Sequence, residues 1–175
     1  YFDHRLKSAG VTFKLGQRVE VGDLAQGTFD HVVLATGVVP RRLDVPGGDY
    51  ATVVTYIELI EGRKVAGDKL AIIGAGGIGF DIAEFLTHPG DNKTALERFQ
   101  DEWGIDSTLA ARGGLKPPEK ETSPRQVWLL QRKTSKVGDG LAKTTGWIRR
   151  SLLTMRDVRM LAGVTYERID DTGLH

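Results

Sequence analysis

The chain has 175 residues, 40% of them hydrophobic and 27% charged, with a formal net charge of +1; that length supports one ordinary core, or one core and part of another. No polybasic run points to nucleic acid, and no apolar stretch approaches the roughly 20 residues of a membrane span. Cysteine is absent, which excludes disulfides and thiolate cluster ligands from this chain and leaves a cytoplasmic setting as the default expectation.

In chain order, residues 1–10 read as the end of a helix stopped by Gly10. The runs 11–15, 17–21 and 30–35 read as three short strands, the last closing on Ala35-Thr36-Gly37. Pro40 and Pro46 punctuate the connection from Val38 to Gly48, and Thr55 to Glu61 reads as a short helix. Lys69 to Ile73 is a short apolar run suited to a buried parallel strand. It leads directly into Gly74-Ala75-Gly76-Gly77-Ile78-Gly79. From Gly77 to Thr87 the apolar residues Ile78, Ile82, Phe85 and Leu86 recur at helical spacing, and Pro89-Gly90 ends that helix. Residues 91–124 form a polar insertion with one helix, Thr94 to Trp103. Gln126 to Leu130 is the next strand. A basic, glycine-containing loop runs from Arg132 to Ala142. A helix follows from Thr144 to Arg156, with Ile148, Leu152 and Met155 on one face. Val158 to Leu161 and Val164 to Ile169 read as two final strands.

Residues 10–20 can be laid over residues 157–167: Val11 meets Val158, Phe13 meets Met160, Gly16 meets Gly163 and Glu20 meets Glu167. Chance would explain so short a match. A duplicated nucleotide fold would also explain it, with the back of one such domain followed by the front of a second, as in flavoproteins with paired dinucleotide domains. The chain opens at Tyr1 inside a helix tail. It stops at His175, just after the turn Asp170-Asp171-Thr172-Gly173, where a returning strand should begin. A piece of a larger protein is expected.

The glycine run has the context its chemistry needs, after an apolar strand and at the start of an amphipathic helix. Gly74 permits a tight turn, Gly76 lets backbone approach a pyrophosphate, and Gly79 lets helix and strand pack closely. The helix N-terminus then offers N–H groups and a positive dipole end to phosphates. An NAD site places Asp or Glu at the end of the second strand, on the ribose. Counting along the chain reaches Glu97, but that residue lies in a polar helix and reads as part of a solvated face. The strand that fits is the delayed one, which ends in Gln131-Arg132-Lys133, with Lys136 and Lys143 beyond. Arg and Lys there would bind a 2′-phosphate, so the expected ligand is NADP(H); a solvated basic loop is the alternative. Ala35-Thr36-Gly37 suits close approach to a flavin, or a plain strand-to-loop turn. His4, His31, His88 and His175 show no ligand spacing, and no nucleophile triad is arranged. Trp103, Trp128 and Trp147 read as packing rather than a base-stacking platform.

The segments KLAIIGAGGIGFDIAEFL, EWGIDSTLAARGGL, SPRQVWLLQRK and GLAKTTGWIRR resemble the bacterial NADPH-dependent 2,4-dienoyl-CoA reductases, iron-sulfur flavoproteins related to trimethylamine dehydrogenase. The resemblance implies an α/β fold: a Rossmann-like three-layer nucleotide-binding domain over 66–175, joined through 51–65 to the trailing part of an FAD domain over 1–50. It also implies that Gly74, Ala75, Gly76, Gly77, Ile78 and Gly79 hold the NADPH pyrophosphate. Arg132 and Lys133 would hold its 2′-phosphate, with Lys136 and Lys143 adding positive charge. Ala35, Thr36 and Gly37 would lie against FAD, with Val19 near its adenine. Electrons would pass from NADPH to FAD, then through a 4Fe-4S centre and FMN to a 2,4-dienoyl-CoA. The barrel, the cluster and the first FAD glycine motif lie in parts of such a parent that this sequence does not include. The piece alone is therefore expected to bind nucleotide, hold only part of an FAD site and reduce no dienoyl-CoA. Its partners would be NADPH and the remaining domains of the parent, with no nucleic acid and no membrane. The alternatives are a domain of another flavin oxidoreductase, such as an amine dehydrogenase, and a non-catalytic nucleotide-binding module.

Overall fold

A computed structural model describes residues 1–27, 29–90 and 92–175. The chain divides into two units, Tyr1–Arg42 and Leu43–His175. Two helices are the regular elements described in the first unit, α1 (Phe2–Ser8) and α2 (Val21–Ala25). The strands expected over 11–15, 17–21 and 30–35 do not form ladders. Val21, expected to close the second of them, instead opens α2, whose reciprocal capping box pairs Glu20 with Asp23. The physical reason is pairing: a strand exists through its neighbour, and Val33 and Leu34 stay 85% and 80% exposed with no ladder partner among the described residues.

The second unit is built on β1 (Lys69–Ile73), β2 (Gln126–Leu130) and β3 (Arg159–Leu161), parallel neighbours in that order. Two connecting helices join them, α3 (Gly77–Thr87) after β1 and α4 (Gly146–Met155) after β2. Phe80, Ile82, Ala83 and Leu86 from α3 meet Val127 and Leu129 from β2 and Leu153 from α4 in one core. Fully burying a side chain such as Phe80 or Leu129 is worth roughly 1.5–3 kcal/mol. The buried face of α3 is rotated from the expected one. Phe80 and Ala83 are inside, while Ile78 and Phe85 are about half exposed. The glycine sets this phase, because a Cβ on Gly79 would stand 1.9 Å from the Gly74 carbonyl oxygen. Gly79 must face the turn, and every later side chain follows from it.

A short helix over Tyr56–Ile60 is capped by Thr55 and Glu58 and packs Tyr56 and Leu59 against the core. The helix of the insertion runs over Ala95–Trp103, with Thr94 as cap. The insertion's first residue, Asp91, lies outside the described residues. This helix is fastened to α4 by a buried ion pair, Arg156 with Glu102, whose Nε–H donates to the carboxylate at 2.8 Å. Trp103 also meets Trp147 edge-on at 6.2 Å. Gly104 ends the helix in the left-handed region, and Asp106 closes the next loop by accepting from Thr108 and from the Ala111 N–H. The EWGID and KTTGW segments are thus two halves of one contact.

Residues 164–168, expected to be strand, form no ladder; the Val164 N–H goes to the Gln131 carbonyl and the Glu167 N–H to that of His175. Only Ile169–Asp170 pairs, with Gly173–Leu174, as a tight hairpin. The internal similarity has a backbone counterpart. Val11 N–H bonds Leu6 O and Gly10 N–H bonds Lys7 O; Val158 and Asp157 make the same bonds to Leu153 and Thr154. Both helices end in this double-bonded left-handed cap, at Gly10 (φ +74°) and Asp157 (φ +57°). Gly16 and Gly163 then share φ values of +71° and +70°.

Candidate functional site

The glycine turn and the basic loop leave the same end of adjacent strands. Ile73 is in register with Leu130, and the Gly74 N–H donates to the Leu130 carbonyl at 2.9 Å. Gly74 has φ +109°, a value that side chains rarely adopt. A Cβ on Gly76 or Gly77 would meet no protein atom within 4 Å, so the backbone is bare on the side where a ligand would approach. Gly76 is the N-cap of α3 and no side chain caps that terminus, which leaves N–H groups to offer an anion. Ala75 packs partly against the core, while Ile78 is exposed.

The loop after β2 is ordered by contacts that its composition did not reveal. The Gln131 carboxamide donates to the carbonyls of Lys133 at 3.1 Å and Ser135 at 2.6 Å. The Gly163 N–H donates to the Lys133 carbonyl at 2.9 Å. Val137 is buried in the core, and a Cβ on Gly138 would lie 2.6 Å from the Phe80 ring. Arg150 donates to the Gly138 carbonyl at 2.9 Å. Arg132, Lys133 and Lys136 are exposed between these anchors. No ion pair engages them or Lys143 among the described residues. Burial pushes the Tyr166 phenol up, and the nearby Arg132 guanidinium works against that rise.

Lys136, exposed, also lines the rim of a groove of about 650 Å³ with Trp147, Arg150, Met155 and Met160. Lys143 is exposed just before α4. Glu97 is occupied at its own helix start, where its carboxylate accepts from the Thr94 N–H and hydroxyl at 2.8 Å each. The Thr94 backbone bond in particular holds that carboxyl below its ordinary value. Val19, Ala35, Thr36 and Gly37 are exposed residues of the first unit. Among the described residues no group of histidines and carboxylates could hold a metal, and no helix is long and apolar enough to cross a membrane.

A family model described as pyridine nucleotide-disulphide oxidoreductase matches residues 2–173. Cinnamate reductase from Clostridium sporogenes is 33% identical over 101 residues, which cover 58% of this chain and 15% of that protein. The ferredoxin–NAD(+) reductase component of the biphenyl dioxygenase system of Paraburkholderia xenovorans is 34% identical over 105 residues, 51% of this chain and 26% of that one. The chain therefore spans about a quarter or less of these relatives. A solved complex of 2-naphthoyl-CoA reductase with 2-naphthoyl-CoA has a TM-score of 0.63 at 20% identity, over 99% of this chain and 21% of the other. It shares the fold.

Proposed function

This chain belongs to the pyridine nucleotide-disulphide oxidoreductase family, and from that premise we propose that residues 66–175 are the NADPH-binding domain of a larger flavin-dependent reductase. Residues 1–50 would then be the trailing part of its FAD-binding domain, with 51–65 as the join. The observation that carries the reading is Arg132 and Lys133, exposed and free of ion pairs among the described residues. They follow the strand next to the one that feeds the glycine turn. The bare backbone at Gly76 and Gly77, with the uncapped start of α3, fits a pyrophosphate. Arg132 and Lys133 fit a 2′-phosphate by charge, the guanidinium through two parallel N–H bonds. Lys136 and Lys143 add positive potential to the approach. Ala35, Thr36 and Gly37, with Val19, would serve the FAD side.

In this reading hydride chemistry belongs to the nucleotide and the flavin, and the chain binds and orients them. The parent is a 2,4-dienoyl-CoA reductase. A 4Fe-4S centre and FMN, which would supply the electron path to the dienoyl-CoA, would be held by other parts of it, since this chain has no cysteine to ligate a cluster. The names of the relatives, cinnamate reductase and 2-naphthoyl-CoA reductase, support a reductase.

Calorimetric titration with NADPH and with NADH tests the nucleotide assignment, and NADPH should bind more tightly. Arg132→Ala should cost NADPH about 1.5–3 kcal/mol, roughly ten- to a hundredfold in Kd, and leave NADH nearly unchanged. Equal affinity for the two nucleotides in the unaltered chain would overturn the assignment.

A further inference from the structure

We propose that Gln131 is a positioning residue that presets Arg132 and Lys133 for an adenosine 2′-phosphate, an inference that rests on the NADPH reading above. Gln131 is the first residue beyond β2, and its own N–H donates to the Leu161 carbonyl at 2.9 Å. In an NAD site the side chain at a strand end of this kind reaches outward to the ribose. Here it is turned along its own loop, with Nε2 donating to two carbonyls, those of Lys133 and Ser135. Both partners are acceptors only, so the group facing them must be the NH₂.

The staple closes residues 131–135 into one small loop. The Gly163 N–H fixes the same Lys133 carbonyl from the neighbouring chain segment. The backbone is thus held on both sides of Arg132, while its side chain and that of Lys133 stay exposed. Ordering the loop before the phosphate arrives removes an entropic cost that binding would otherwise carry. The strand-end side chain therefore shapes the reader of the phosphate instead of contacting the ribose. Glutamate, of nearly the same shape, would set a negative charge against two carbonyl dipoles. Methionine would keep the length and lose both donors.

Gln131→Met and Gln131→Glu in the 175-residue chain, titrated with NADPH and NADH by calorimetry, test this. NADPH affinity should fall about five- to tenfold in the methionine variant and further in the glutamate variant. NADH affinity should stay within about twofold in the methionine variant, as no phosphate-specific contact is lost, and should not fall in the glutamate variant, whose carboxylate stands where an NAD site places one for the ribose. Retained NADH binding also reports that the variants are folded. A preference for NADPH that survives both substitutions overturns this inference alone. Parallel loss of both nucleotides overturns it too, as the mark of a merely structural residue. An unaltered chain without any preference overturns the NADPH reading and this inference with it.

Discussion

Val32-Val33-Leu34-Ala35 and Leu70-Ala71-Ile72-Ile73 are similar stretches of sequence with opposite fates. The second is a strand in a parallel sheet, and the first makes no ladder. Residues 43–175 bring β2 beside β1, with α3 and α4 to complete the core. Within 1–42, no described residue is buried. Strand propensity is a preference for a pleated, half-covered surface, and it becomes structure only where a partner supplies that surface. The comparison separates what local pattern encodes from what pairing adds.

The sharpest way to break that comparison is to truncate one side chain in each region. Leu129 has no exposed surface, and Leu129→Ala should cost about 3–4 kcal/mol by loss of burial and a residual cavity. Val33→Ala should cost no more than about 0.5 kcal/mol. Tryptophan fluorescence during urea unfolding would follow the first directly, since Trp103, Trp128 and Trp147 all lie in 43–175. Circular dichroism would follow the second. Equal costs would show that Val33 is covered in solution.

Ion pairs give the next contrast. Glu102→Ala leaves Arg156 buried without its carboxylate and should cost about 3 kcal/mol in the same unfolding experiment. Arg18→Ala removes an exposed partner of Glu20 and should leave the unfolding curve where it was.

The smallest expected effect is on pH dependence. Within 43–175, hydrogen bonds from the Thr108 hydroxyl and the Ala111 N–H hold Asp106 below its ordinary range. Lys93 does the same for Asp101, and the Thr172 hydroxyl with His175 holds Asp170 far below it. Each carboxyl is more acidic in the folded than in the unfolded chain, so the unfolded chain takes up protons first. Their stabilisation is complete above the unfolded value, near 4, and declines as the pH falls below it. Melting temperatures should be flat from pH 7 to about 5 and drop toward pH 3. A rise on acidification would reverse the assignment of these contacts.

The βαβ core was legible because two signals coincide in it. Apolar runs of strand length stand beside a glycine pattern whose spacing follows from backbone sterics, and Gly79 against Gly74 is the contact that spacing implies. The phase of α3 was not legible from hydrophobicity alone, since Ile78 and Phe85 fit an apolar stripe as well as Phe80 and Ala83 do. The meeting of Trp103 with Trp147 joins positions 44 residues apart in number, which no local window can see. The basic residues of the loop after β2 could be read off, but their anchors could not. Nothing in the local sequence marks Gln131 as a donor to its own loop or Val137 as a core residue. The shared cap at Gly10 and Asp157 was visible only as faint similarity, because the conformation is common to both while the residue types are not.

The contact between Gly138 and the Phe80 ring divides the loop after β2 into two parts with different freedom to change. Positions 137 and 138 are seated on the helix that leaves the glycine turn, and a methyl group at 138 would collide with that seat. Positions 132–136 project from it with their side chains in solvent. Redesign of nucleotide preference therefore has a window of five residues, Arg132 to Lys136, in which substitutions alter charge and shape without disturbing the sheet. A change at Gly138 would instead unseat the whole window and the helix with it.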